Sequence, residues 1–163
     1  MDRIPMTQSG YEKKQQELDA LNAEMVDCTN KVAEARAEGD LKENAEYHAQ
    51  RERQGMLQAK INLVKDQLSR AEIIDPSSLP RDTVVFGARV RVKDLDELEE
   101  EAYELVGPGE EDYDNDEVTK IRPDTPVGRG LMGRRIGEVA EVEVPAGILR
   151  YEILEISFPM LED

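Results

Sequence analysis

Leu18-Asp19-Ala20-Leu21-Asn22-Ala23-Glu24-Met25-Val26-Asp27-Cys28-Thr29-Asn30-Lys31-Val32-Ala33-Glu34-Ala35 is the stretch on which the fold turns. Apolar or small residues recur in it at Leu18, Leu21, Met25, Cys28, Val32 and Ala35, in alternating steps of three and four. That spacing is the heptad seam of a coiled coil. Upstream the seam extends to Tyr11, with Thr7 suited to the N-cap. A second run keeps the same phase through Tyr47, Leu57, Ile61, Val64, Leu68 and Ala71, with Gln50 and Gln54 at two polar seam positions. The two runs mirror each other about residue 41: Ala35 faces Tyr47, Cys28 faces Gln54, Leu21 faces Ile61, Leu18 faces Val64 and Tyr11 faces Ala71. Mirror symmetry of this kind predicts an antiparallel hairpin folding back within Gly39-Asp40-Leu41-Lys42-Glu43-Asn44. Gly39 suits the left-handed residue that ends a helix, and Asp40 the N-cap of the next. Arms of about 30 residues make a finger roughly 45 Å long. A single two-stranded seam buries little surface, so the finger is expected to project from a base.

The chain changes character near residue 75. Between Pro5 and Pro76 there is no proline, whereas prolines and glycines recur from Asp75-Pro76-Ser77-Ser78-Leu79-Pro80 onward. This predicts a finger over residues 1–75, a linker over 76–80 and a second domain over 81–163. Val84–Phe86, Ala88–Val92, Ala102–Val106, Glu138–Val144 and Leu149–Ile156 alternate with the period of half-buried strands, and Pro145-Ala146-Gly147 reads as the turn joining the last two. Thr125 to Gly133 fits a brief helix with Pro126 at its first position. The expected fold class is α+β: an antiparallel coiled-coil hairpin, then a small antiparallel sheet with a short helix. Gly107–Glu117 reads as a solvated acidic loop.

Charge narrows the function. The 163 residues carry 21 Lys and Arg against 37 Asp and Glu, a net charge of −16. Residues 1–75 hold 11 basic and 15 acidic side chains and residues 76–163 hold 10 and 22, so the acidity sits mainly in the second half. Such a chain is poorly suited to coating nucleic acid, which rewards clustered Lys and Arg, or to binding an anionic membrane surface. No apolar run approaches the roughly 20 residues of a bilayer span. The lone Cys28 can form no internal disulfide, and a reducing, cytoplasmic setting is the expectation.

Familiar enzyme constellations are missing. His48 and Cys28 stand alone, and there is no P-loop, dinucleotide-binding glycine pattern or HExxH. Gly128-Arg-Gly-Leu-Met-Gly133 precedes no nucleotide-binding unit and reads as tight packing and a turn. The unusual place is the fold-back, where Asp40 and Glu43 lie three apart, with Arg36 and Arg51 about one helical turn back on either arm. Two readings are open from the residues alone. Asp40-Leu41-Lys42-Glu43 has the spacing of a capping box, in which both carboxylates only start the second helix. Alternatively, the pair forms half of a magnesium site, completed when the finger enters another protein's active centre.

Glu34-Ala-Arg-Ala-Glu-Gly-Asp-Leu-Lys-Glu-Asn-Ala-Glu-Tyr-His-Ala49 closely resembles the tip signature of the bacterial GreA/GreB transcript-cleavage elongation factors. The resemblance extends to Ile4-Pro5-Met6-Thr7, Val85-Phe86-Gly87-Ala88 and Pro126-Val-Gly-Arg-Gly-Leu-Met-Gly133, and so spans the chain. It implies an FKBP-like second domain that docks on bacterial RNA polymerase and a finger that reaches the active centre through the secondary channel. Asp40 and Glu43 would there act as catalytic and metal-binding residues on the polymerase's own Mg2+, with no cofactor bound by the factor alone. Arg36 and Arg51 would contact the 3′ end of backtracked RNA, while Asp124 and Pro126 would belong to the docking surface. The implied protein is an accessory to an enzyme, with neither a small-molecule substrate nor a membrane partner. The few basic residues on the finger are closer to the GreA type than to the more basic GreB type. A channel-blocking inhibitor and a coiled-coil chaperone or adaptor are the alternatives. A prolyl isomerase, which the FKBP-like fold invites, is disfavoured by an aromatic content of 4%.

Overall fold

A computed structural model of the chain describes residues 2–39 and 44–161. The chain divides into two compact units, one comprising Met1–Arg3 and Ser9–Ala71, the other Ile4–Gln8 and Glu72–Asp163.

The first unit is a helical hairpin of α1 (Gln8–Ala37) and α2 (Ala45–Ser69). At 1.5 Å per residue, the 30 residues of α1 extend about 45 Å. Leu21, Cys28, Leu57, Ile61 and Val64 are buried between the arms, and Leu18, Met25, Val32 and Leu68 pack against them. Polar contacts between the arms fit the antiparallel pairing: the Cys28 thiol donates to the Gln50 carbonyl at 3.2 Å, and Arg53 reaches Asp27 at 3.4 Å. Two details depart from the heptad reading. The helix stops at Ser69, where the Arg70 N–H donates to the carbonyls of Asp66 and Leu68, so Ala71 enters a strand and not the seam. Gln67, absent from the expected seam, is only 7% exposed, and its side-chain oxygen finds no hydrogen-bond donor.

The second unit opens with β1 (Ile4–Met6), which pairs with β2 (Ala71–Ile73). Ile4 and Met6 are buried, so this N-terminal tripeptide is anchored by its side chains. A five-stranded sheet follows, comprising β3 (Arg89–Asp94), β4 (Glu100–Leu105), β5 (Thr119–Ile121), β6 (Val139–Val144) and β7 (Gly147–Ser157) in the order β5-β4-β3-β7-β6. Neighbours are antiparallel except β4 and β5, which run parallel with Tyr103 opposite Thr119 and Leu105 opposite Ile121. This corrects the expectation of a wholly antiparallel sheet; the long acidic connection over 106–118 is what lets the chain return and enter β5 in the same direction as β4.

Val84–Phe86 also departs from expectation, since it is a core-lining turn and not a strand. Val84 and Phe86 are buried, but the Val84 N–H donates to Arg134 O and its carbonyl accepts from Gly133 N, both at 2.8 Å. Its alternation reflects burial beside a single antiparallel bridge, Thr83 to Arg135, that does not extend into a strand. Pro145 and Ala146 form the tight turn between β6 and β7, with Val144 opposite Gly147.

The short helix α3 (Pro126–Leu131) covers the core face of the sheet. Thr125 caps it, its Oγ1 accepting from Gly128 N at 3.1 Å and donating to Arg122 O at 2.7 Å. Its glycines permit close approach. A Cβ on Gly128 would collide with Arg122 O and the Pro123 backbone, and one on Gly130 would sit 2.7 Å from Val142 Cγ2. Leu131 thereby reaches a core with Val90, Val92, Leu105, Val142 and Ile153. Among the described residues, no helix is long and apolar enough to cross a membrane.

Candidate functional site

The fold-back is built from two helix ends. Arg36 lies in the last turn of α1, where a cation complements the helix dipole. Gly39 follows with φ +137°, a conformation that strains side-chain-bearing residues. On the other arm, Asn44 is extended (φ −91°, ψ 94°) and caps α2, its Oδ1 accepting from Tyr47 N at 3.0 Å. The same amide donates through Nδ2 to Ala35 O at 2.6 Å, crossing to α1.

This arrangement corrects the expected cap. The N-cap of α2 is Asn44, not Asp40, so a capping box of Asp40 with Glu43 does not start that helix. Asp40 and Glu43 themselves lie outside the described residues. Of the cationic candidates, Arg36 is exposed and its guanidinium carbon sits 6.0 Å from the Tyr47 ring centroid on the opposite arm. Tyr47 also meets His48 edge-on, with centroids 5.5 Å apart. Arg51 is exposed and stays on its own arm, donating to Gln54 Oε1 at 2.9 Å. Farther down the finger, the hydrogen bond and charge of Lys31, and then a hydrogen bond from Arg53, hold the Asp27 carboxyl below its usual range.

The other candidates lie at the start of α3. Asp124 is exposed and accepts from Arg122 at 3.0 Å, and Pro126 is exposed at the first helical position. Beyond α3, Met132 and Ile136 are exposed apolar residues, Ile136 at 60%. Sequence reasoning missed both, because an apolar residue beside a glycine run gives no sign of which way it faces. It also missed Asn44, whose signal was its position directly before Ala45-Glu46; Asp40 has equally good capping chemistry and masks it. A 430 Å³ concavity at the β4 edge is lined by Glu100, Glu101, Asp116, Glu117, Arg91 and Tyr103 and contains none of the predicted residues. There the Tyr103 hydroxyl donates to Glu101 Oε2 at 2.6 Å. Among the described residues, no three His, Cys, Asp or Glu side chains are grouped to hold a metal ion.

Residues 4–73 match the family model described as "Transcription elongation factor, N-terminal", and residues 79–158 match "Transcription elongation factor, GreA/GreB, C-term". The chain belongs to the GreA/GreB family of transcription elongation factors. Among curated members, it is 48% identical over 158 residues to transcription elongation factor GreA of Thermodesulfovibrio yellowstonii, an alignment covering 96% of this chain and 98% of that protein. It is 44% identical over 158 residues to GreA of Sphingopyxis alaskensis, covering 97% and 98%. Solved structures of similar proteins include GreA factor homolog 1 of Thermus thermophilus (24% identity, 95% and 99% coverage, TM-score 0.47). Another is the GreA/GreB factor of Nitrosomonas europaea (22% identity, 97% and 100% coverage, TM-score 0.42). For a GreA/GreB chain, the coiled-coil hairpin and the curled sheet with its one short covering helix are the two matched domains.

Proposed function

We propose that this GreA/GreB protein enters the secondary channel of bacterial RNA polymerase and stimulates the polymerase's own cleavage of backtracked RNA. The supporting observation is the fold-back: two long antiparallel helices end at Ala37 and restart at Ala45, and the cap of the second helix is supplied by Asn44. The cap of α2 thus calls on neither Asp40 nor Glu43. Two carboxylates are hard oxygen donors that suit Mg2+, which keeps several waters and takes only one or two carboxylates from a protein. Asp40 and Glu43 would therefore share an ion held chiefly by the polymerase, and the ion would supply an activated water and stabilisation of the leaving oxygen. Arg36, exposed beside Tyr47, and Arg51 would meet the RNA backbone. Exposed Asp124 and Pro126, with Met132 and Ile136 beyond them, would form the polymerase-docking face.

The protein in this reading is an accessory factor, not a complete enzyme, and the cytoplasm is where it would work. The test uses halted, backtracked polymerase with labelled RNA and adds wild-type protein, Asp40→Ala or Glu43→Ala. Wild type is expected to release short 3′ fragments in a Mg2+-dependent manner, and either variant to lose most of that stimulation while still competing for polymerase. Undiminished cleavage by both folded variants would refute the metal role. Slowed elongation with no fragment released by wild type would instead mark a channel-blocking inhibitor.

A further inference from the structure

The geometry points to Asn44 as a positioning residue that clamps the two helix ends together and so fixes both ends of the segment whose sequence carries Asp40 and Glu43; this rests on the cleavage function proposed above. Its side chain makes two bonds with different partners. Oδ1 accepts from Tyr47 N within α2, at 3.0 Å, as an ordinary N-cap. Nδ2 donates to Ala35 O of α1 at 2.6 Å, and capping does not require this bond. Ala35 is 2% exposed, and its carbonyl also accepts from Glu38 N at 3.2 Å, so the clamp seizes α1 where its last turn closes. Asn44's own carbonyl accepts from His48 N at 3.1 Å, which ties the clamp rigidly into the first turn of α2. Only an amide offers both a donor and an acceptor at this reach. Serine and aspartate cap a helix well but cannot bridge to Ala35, the first for length and the second for want of a proton.

That difference separates positioning from mere folding. Asn44→Asp and Asn44→Ser keep the cap and lose the clamp, one with added charge and one without, whereas Asn44→Ala loses both. Displacing a catalytic group by about 1 Å can cost up to 10²-fold in rate. Stimulated cleavage at saturating factor is therefore expected to fall about tenfold or more in both Asn44→Asp and Asn44→Ser. The factor concentration giving half-maximal stimulation should stay within about twofold of wild type, and amide-exchange protection at Tyr47 should persist in both. Wild-type cleavage rates in both variants would overturn the clamp, as would a loss accounted for wholly by weaker binding. Asp40→Ala run in parallel distinguishes the two layers. If it cleaves like wild type, the underlying reading fails; if it is defective while both clamp variants are normal, only the clamp fails.

Discussion

The finger and the sheet domain solve the burial problem in opposite ways. The finger's core is one row of side chains: Leu21, Cys28, Leu57, Ile61 and Val64 are buried, and partly exposed residues fill the gaps. In the sheet domain, residues from five strands, α3 and the 84–88 turn converge on one core, where Val84, Val90, Val92, Leu105, Leu131 and Val142 are each fully buried. Both regions bury polar groups: the finger holds the orphaned oxygen of Gln67 and the Cys28 thiol, which donates to the Gln50 carbonyl, and the sheet domain holds Asp94, whose carboxylate accepts from the Asp96 and Glu97 amides. Stability in the finger is thus distributed along a line, whereas in the sheet domain it is concentrated in one shared core.

A single substitution type made in both regions probes that difference. Gly128→Ala places a methyl against Arg122 O and the Pro123 backbone, which cannot yield without lifting α3. A loss of about 3 kcal/mol or more is expected for the sheet domain, in the range of strong overpacking. Gly55→Ala is the counterpart. Gly55 lies inside α2, and a methyl added there would have nothing within 4 Å, so the helix should gain about 1 kcal/mol from the better propensity of alanine. Urea melts followed by far-ultraviolet circular dichroism would report both. Effects of the same sign would abolish the proposed contrast.

Between these extremes lies Ile61→Ala. Ile61 is 3% exposed at the middle of the seam, and truncating a buried isoleucine costs about 2–5 kcal/mol. The low end, about 2 kcal/mol, is expected, because a seam one residue deep can relax towards the vacancy. Leu131→Ala, fully buried and walled in by the sheet, should fall nearer the upper end. Equal costs at the two sites would mean that the finger is packed as tightly as the sheet core.

The same contrast explains what can be read from the sequence and what cannot. A heptad seam is a local, repeated signal, so α1, α2 and their pairing are legible, and Arg36 and Arg51 can be placed beside the fold-back. The long alternating strands are legible for the same reason. Thr119–Ile121 is not, because three residues carry no period and their pairing with Tyr103–Leu105 depends on a loop returning from elsewhere. Ile4–Met6 fails likewise, its partner Ala71–Ile73 lying at the far end of the hairpin in sequence. Val84–Phe86 misleads because buried turns can alternate as strands do. At the site, the mirrored seam that sets Ala35 against Tyr47 already brings Arg36 near that ring, whereas the side-chain bond from Asn44 to the Ala35 carbonyl is announced by no one-dimensional pattern.

The smallest expected effect concerns the polar edge of the sheet core. Burial, then the hydrogen bond to Glu101, pushes the Tyr103 hydroxyl well above its ordinary value of 10, and burial likewise raises Tyr151, against whose ring Tyr103 packs edge-to-face at 6.0 Å. A pKa raised on folding means that the native state holds the proton more tightly than the unfolded chain. The contribution is therefore complete below about pH 10 and is lost as pH rises beyond it. Tyr103→Phe removes one hydrogen bond, worth about 0.5–1 kcal/mol at neutral pH, together with its share of the alkaline dependence. Denaturant midpoints measured from about pH 7 to 11 should fall less steeply above pH 10 in Tyr103→Phe than in wild type, with a residual slope from Tyr151. An unchanged slope would show that the alkaline sensitivity resides elsewhere.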